Sequence, residues 1–163
     1  MKTYPPHPKL RGEWAEWQFI ARAFAQGFRV AKPLGDCCRY DVLIDNPTGF
    51  HRVQIKSTTA RDGSSYRCVY FSSAGYHSYS PKDFDFLAAY VIPENVWFII
   101  PSSAISTSTV TLDPLGRNPR NRFRRYREAW PLLREPGRLT VHAAAERFRP
   151  PSFVWVEPPD RAA

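Results

Sequence analysis

Three polar residues interrupt two apolar runs in the stretch YDVLIDNPTGFHRVQIKST, residues 40–58. Asp41 falls in the first run, Gln54 and Lys56 in the second. Strands otherwise built of Val, Ile and Leu are not stabilised by an unpaired acid or ammonium, whose burial costs several kcal/mol. Together, however, these residue types can do chemistry. A carboxylate oxygen, an amide oxygen and the main-chain carbonyl of Ile55 are the hard oxygen donors that Mg²⁺ takes while keeping several waters. A divalent ion lowers the pKa of such a water and makes it a nucleophile. A lysine beside it can hold the water or offset negative charge growing on a phosphate. A plainer reading stays open, in which Asp41 and Lys56 form a half-buried ion pair that serves stability alone.

The elements around these residues must bring them together. Residues 46–49, Asn-Pro-Thr-Gly, have Pro second and Gly fourth, as a type I turn prefers. The turn predicts an antiparallel hairpin of strands 40–45 and 51–57. Side chains alternate along a strand, so Gln54 and Lys56 share one face and Val53 and Ile55 the other. The short hairpin sets Asp41 near the open end of its strand, roughly across from Lys56.

Upstream, residues 11–26 read as a helix, with Trp14, Trp17, Ala21 and Phe24 at helical spacing and Ile20 beside them. Gly27 closes it. Residues 28–34 form a short strand ending at Pro33. Downstream, a turn at 61–65 leads to a strand at 66–72 and a loop at 73–82. Two strongly apolar strands follow at 84–92 and 96–101, joined by a Pro-Glu-Asn bend, with an edge strand at 106–112. Helices are expected at 121–133, disturbed near Pro131, and at 140–148; a strand is expected at 153–156. The order is helix, strand-rich middle, then helices, which is α/β or α+β with a mixed sheet.

These residues resemble the PD-(D/E)-X-K nuclease superfamily, the fold of many restriction enzymes. Tyr40-Asp41 followed by Gln54-Ile55-Lys56-Ser57 carries the motif. The likeness extends to the Holliday-junction-resolvase-like branch of archaea, in Gly12, Glu16 and Gly27 of the first helix. Residues 79–91, YSPKDFDFLAAYV, are similar to the segment after the catalytic hairpin in group I intron-associated endonucleases. The match spans about residues 10–100. It implies a restriction-endonuclease-like α/β fold, a central mixed β-sheet flanked by α-helices. The implied activity is metal-dependent hydrolysis of DNA phosphodiesters, with Mg²⁺ or Mn²⁺ as cofactor. Asp41 is then the main metal ligand, Gln54 the second and Lys56 the catalytic lysine, with Glu16 an extra acid from the helix. Tyr40 stands where the name motif has proline, and Gln54 stands where it has a second acid. Two alternatives accompany this reading: a DNA-binding protein of the same fold that cuts poorly, and a non-catalytic interaction domain. The family analogy implies a homo-oligomer, a dimer or tetramer.

Composition agrees with an anionic partner. The 163 residues carry a net charge of +8, from 23 basic and 15 acidic side chains. Arginines at 117, 120, 122, 124, 125 and 127 alternate with Phe123, Tyr126 and Trp130 along the helix expected over about 120–133. Arg117, Arg120, Arg122, Arg124, Arg125 and Arg127 are the candidates for DNA-backbone contact. No Gly-rich phosphate loop occurs, which argues against a nucleotide cofactor. Three cysteines, two of them adjacent, make a poor disulfide framework, and CxxC-like metal spacing is missing. His7, His51, His77 and His142 have no ligand spacing. No apolar run approaches membrane-spanning length. The N-terminus has no signal-peptide core, so a cytoplasmic location is expected. The domain plan is an irregular arm at 1–9, one nuclease-like domain at 10–149 and a Pro-rich tail at 150–163.

Overall fold

The computed structural model describes residues 4–35, 38–47, 49–70 and 82–136. The helix expected at 140–148, the strand at 153–156, and most of the loop at 73–82 lie outside these residues. Helix α1 spans Pro8–Ala25 and starts three residues earlier than the sequence suggested, with Pro at its first position. Proline is pre-set for that position and loses no hydrogen bond there. The helix ends at Gln26, and Gly27 follows at φ +80°, a conformation that favours glycine.

Five strands build the main sheet: β1 (Arg29–Ala31), β2 (Val42–Asn46), β3 (Gly49–Thr58), β6 (Phe86–Val91) and β7 (Val96–Pro101). They lie in the order β1-β2-β3-β6-β7. Only β3 and β6 are parallel; the other pairs are antiparallel, so the sheet is mixed. A second sheet joins β4 (Arg61–Asp62), β5 (Ser65–Val69) and β8 (Thr109–Leu112), with β8 at its edge. Gly63 turns the chain between β4 and β5 at φ +59°.

The core has two layers, one on each face of the main sheet. On the first face, Val53, Ile55, Ala88, Tyr90, Trp97 and Ile99 meet α1. On the second face, Leu87, Ala89, Val91, Phe98 and Ile100 meet Tyr66, Cys68, Val110 and Leu112 of the smaller sheet. Strand β6 is buried at every position because it is covered on both sides. Among the described residues one α-helix flanks the main sheet, and the three-stranded sheet covers the face opposite to it.

The helix buries only part of the stripe its aromatic spacing marks: Trp14 and Ile20 pack half-buried against the core. Ala15, Phe19 and Ala23 face the sheet, while Trp17 and Phe24 are each 60% exposed. The opposing surface explains the choice. Tyr90 and Trp97 stack at 4.3 Å, and Trp97 meets Trp130 edge-on. Against such bulk the small side chains of Ala15 and Ala23 allow close approach. Phe19 fits between the rings, 5.4 Å from Trp97 and 5.3 Å from Trp130.

The helix expected at 120–133 is not formed. The segment makes two short 3₁₀ turns, Arg124–Tyr126 and Trp130–Arg134. Between them Arg127 bridges to Phe98, and the Glu128 N–H donates to the Trp97 carbonyl. The Glu128 carboxylate accepts from the Trp97 N–H and from Trp130 Nε1. These bonds to β7 hold Glu128 at φ +48° and replace the helical ladder, and Pro131 withholds a donor. The aromatic spacing therefore reflects packing by turns: Phe123 in the second layer, Trp130 in the first.

Core and outer face of α1 should respond differently to truncation. Phe19→Ala is expected to cost about 3–5 kcal/mol. Phe24→Ser should change stability by less than about 0.5 kcal/mol. Urea unfolding of both variants checks this, and an equal loss would contradict the assignment of faces.

Candidate active site

The site begins where β2 stops short. Val42 and Val53 are the last residue pair of the hairpin, yet β3 continues to Thr58. Asp41 still donates its N–H to the Val53 carbonyl, 2.9 Å away, so it sits at the mouth of the gap beyond β2. Its carboxylate is aimed along that gap. One oxygen, Oδ2, accepts from Gln54 Nε2 at 2.7 Å and from the Ile55 N–H at 2.6 Å. Asp41 therefore stands beside Gln54 in the register, two residues short of the position opposite Lys56 that the sequence suggested. The acid and the amide share one side of the sheet.

Ile55 has no β2 partner at this level. In an extended strand a residue's N–H and C=O point to the same side, as paired residues of an antiparallel ladder show. The Ile55 carbonyl thus faces the same gap as the N–H that Asp41 holds. Gln54 is 1% exposed, and its Oε1 has no hydrogen-bond partner among the described residues. A half-turn of the amide exchanges its nitrogen and oxygen and sets an oxygen beside Asp41.

Helix α1 closes the gap from the first face. Arg11, Gly12, Ala15 and Glu16 line a cavity of about 290 Å³ together with Asp41, Ile55, Lys56 and Ser57. A second cavity of about 230 Å³ adjoins it, sharing Glu16 and Asp41 and adding Lys32, Gly35, Cys38 and Tyr40. Glu16, Asp41, Gln54, Ile55 and Lys56 are thus brought together. Burial pushes the Asp41 carboxyl up from 3.8 to about 6, against the Ile55 N–H and the nearby ammonium of Lys56, which both favour its charge. Glu16 adds to the upward push and Lys32 opposes it.

Lys32 is a residue of this site that the sequence reading missed. It follows β1, whose pairing of Ala31 with Leu43 places the next residue beside the start of β2. Its ammonium makes an ion pair with Glu16 Oε2. The other missed feature is structural. Arg52 donates to both oxygens of buried Asp85, and the Asp85 N–H donates to the Arg52 carbonyl. This clamp locks β3 to the start of β6, two residues before Gln54.

Other candidates lie elsewhere. His51 is buried and its Nε2 is 2.9 Å from the Glu135 carbonyl, at the hairpin end away from Asp41. Cys68 is buried, with its thiol pushed up to about 12 by desolvation, unsuited to a nucleophile. His77 and His142 lie outside the described residues. A cavity of about 540 Å³ opens at the hairpin end between Phe28, Asn46 and Arg134, remote from the acid–lysine set. The six arginines divide. Arg122 donates to the Ala104 carbonyl and lies over the Phe123 ring, and Arg127 donates to the Pro114 carbonyl. Arg120, Arg124 and Arg125 line a shallow surface recess, and Arg117 is exposed nearby in sequence. No helix among the described residues is long and apolar enough to cross a membrane.

A mixed sheet with one helix against it, and an acid at a strand end beside Gln-x-Lys, define a restriction-endonuclease-like α/β fold. The chain belongs to the PD-(D/E)XK endonuclease family, whose model matches residues 6–133. Among solved structures it is similar to a bacterial homing endonuclease, I-Ssp6803I, at 30% identity and a TM-score of 0.67. That match covers 86% of this chain and 96% of the homing endonuclease. No curated protein matches the chain.

The buried carboxylate leaves a signature in stability. Its folded pKa of about 6 lies above the ordinary 3.8, so the folded state holds the proton more tightly. Stability is then lost as pH rises from about 4 through about 6. Asp41→Asn keeps an oxygen for both donors and carries no charge. In a chelating buffer it is expected to melt higher than wild type at pH 8, with the difference closing by pH 4. A variant that melts lower at pH 8 would contradict this.

Proposed function

We propose that this chain is a metal-dependent DNA endonuclease, using Mg²⁺ or Mn²⁺, with its active site in the gap beyond β2. The observation that carries the reading is the meeting of Asp41, the buried amide of Gln54 and Lys56 on one gap at a strand end. Membership of an endonuclease family and likeness to a homing endonuclease support it. The donor set fits a hard cation: a carboxylate, an orphaned amide oxygen and a main-chain carbonyl. Asp41, Gln54 and the Ile55 carbonyl would hold the metal, with Glu16 contributing from α1. Such an ion supplies Lewis acidity to the phosphate and lowers the pKa of water.

The chain's own residues do the rest. Lys56 orients the attacking water and offsets charge on the phosphate as the bond to the water oxygen forms and the bond from phosphorus to the leaving sugar oxygen breaks. The Ile55 N–H and Gln54 fix the direction of the Asp41 carboxylate, so the attacking group meets a preorganised site. Arg117, Arg120, Arg124 and Arg125 contact the phosphate backbone, while Arg122 and Arg127 brace the turns that present them. Cutting both strands of a duplex calls for two sites, which a dimer or tetramer provides.

A plasmid-nicking assay with Mg²⁺ or Mn²⁺ tests the reading. Lys56→Ala and Asp41→Ala should each lower the nicking rate by about 10²-fold or more. Equal residual nicking in wild type and Lys56→Ala would assign the activity to a contaminant and sink the proposal. The double variant Arg124→Ala/Arg125→Ala should weaken binding about uniformly across sequences and reduce the salt slope by roughly 2. An unchanged slope in a filter-binding titration would remove these arginines from the DNA contact.

A further inference from the structure

The helix acid of this site already has a resident cation. Glu16 Oε2 is ion-paired with Lys32 Nζ, and the same ammonium lies 5.5 Å from the centre of the Trp17 ring. Lys32 is therefore held from two sides, by a carboxylate and by an aromatic face, both on α1. Its carboxylate partner is partly sheltered, with 22% of the Glu16 side chain exposed against 37% for Lys32. The pair projects into the cavity that Asp41 also lines, and the ammonium acts electrostatically on Asp41 itself. Trp17, 60% exposed and without a place in the core, finds a role as the shelf under this ammonium.

Charge arithmetic gives the arrangement a meaning. The amide at 54 is neutral, so the anionic groups of the gap are Asp41 and Glu16. Two ammoniums, Lys56 and Lys32, face them. A divalent ion entering the gap must draw on the same carboxylates. Asp41 spends one oxygen on the Ile55 N–H and Gln54, and Glu16 spends one on Lys32.

We propose that Lys32 is a positioning residue that competes with the metal for Glu16, holding this acid at the edge of the site and weakening metal binding. This rests on the nuclease reading above. Groups just outside a metal's ligands shift its affinity by about 10- to 100-fold. Lys32→Met keeps the stem on Trp17 but frees the acid, and is expected to lower the Mn²⁺ concentration at half-maximal melting-temperature shift by about tenfold. Lys32→Arg should restore the wild-type midpoint. The double variant Lys32→Met/Glu16→Gln should lose the gain, since no acid remains to be released.

The measurement is a thermal-shift titration of the full chain with Mn²⁺ alone, without DNA. A merely structural ion pair would lower the metal-free melting temperature of Lys32→Met and leave the midpoint where it was, which overturns the proposal. A weaker midpoint in Lys32→Met also overturns it, because Lys32 would then be holding Glu16 in place for the metal. Absence of any Mn²⁺ shift in wild type would instead strike the nuclease reading itself.

Discussion

The site exists because two paired strands have unequal lengths. β3 outruns β2 by five residues, from Gln54 to Thr58, and the ladder on that side stops at Val42. Beyond that point the Ile55 N–H has no strand to bond. A buried, unsatisfied backbone donor is costly, and the Asp41 carboxylate fills the role of the missing strand. The same bond that completes the ladder fixes a carboxylate at the mouth of a gap. Sheet termination and site construction are here one event. The arrangement carries its own tension, since the carboxylate is buried enough to resist ionising.

The surrounding structure keeps that gap from closing or drifting. The Arg52–Asp85 clamp fixes β3 against β6 two residues before Gln54. Parallel pairing of β3 with β6 runs from Val53 to Thr58, through the whole stretch that β2 leaves bare. From the first face α1 lays its alanines against the sheet, which lets Glu16 come close enough to share a cavity with Asp41. A helix with a larger residue at position 15 would stand farther off and carry its acid away from the strand end. Packing distance, set by small residues, thus decides which acids can act together.

Much of this was legible in the sequence. The hairpin was, because period-2 alternation and a Pro-Thr-Gly turn leave few registers open. The polar residues at 41, 54 and 56 stood out against apolar neighbours, and their types named the chemistry. The strands 84–92 and 96–101 were plain from continuous apolarity. Other features were hidden for physical reasons. Lys32 follows a strand of three residues, too short for any periodic signal, and its partner Glu16 is distant in sequence. The stripe on α1 was ambiguous because the helix carries aromatics on two sides, and only the bulk of Tyr90 and Trp97 decides which side goes in. The segment at 121–133 has helical spacing of Phe123, Tyr126 and Trp130, but Glu128 is worth more as a double acceptor for β7 and the Trp130 indole. Tertiary hydrogen bonds overruled a local pattern.

The double-sided burial of β6 bears on how the chain is made as well as on how it stands. Residues 86–91 are uncharged and apolar, free of proline, and followed within a few residues by another such run. A window of that kind is prone to stack against copies of itself when exposed. In the finished molecule it is the most protected strand. Its antiparallel hairpin with β7 closes across a short connection, whereas its parallel seam with β3 joins residues 33 positions apart, Val53 with Phe86. Without that seam one long edge of an aggregation-prone ribbon is bare. The Arg52–Asp85 pair, at the first rung of that seam, makes its closure selective: a charged fork that a second ribbon lacks.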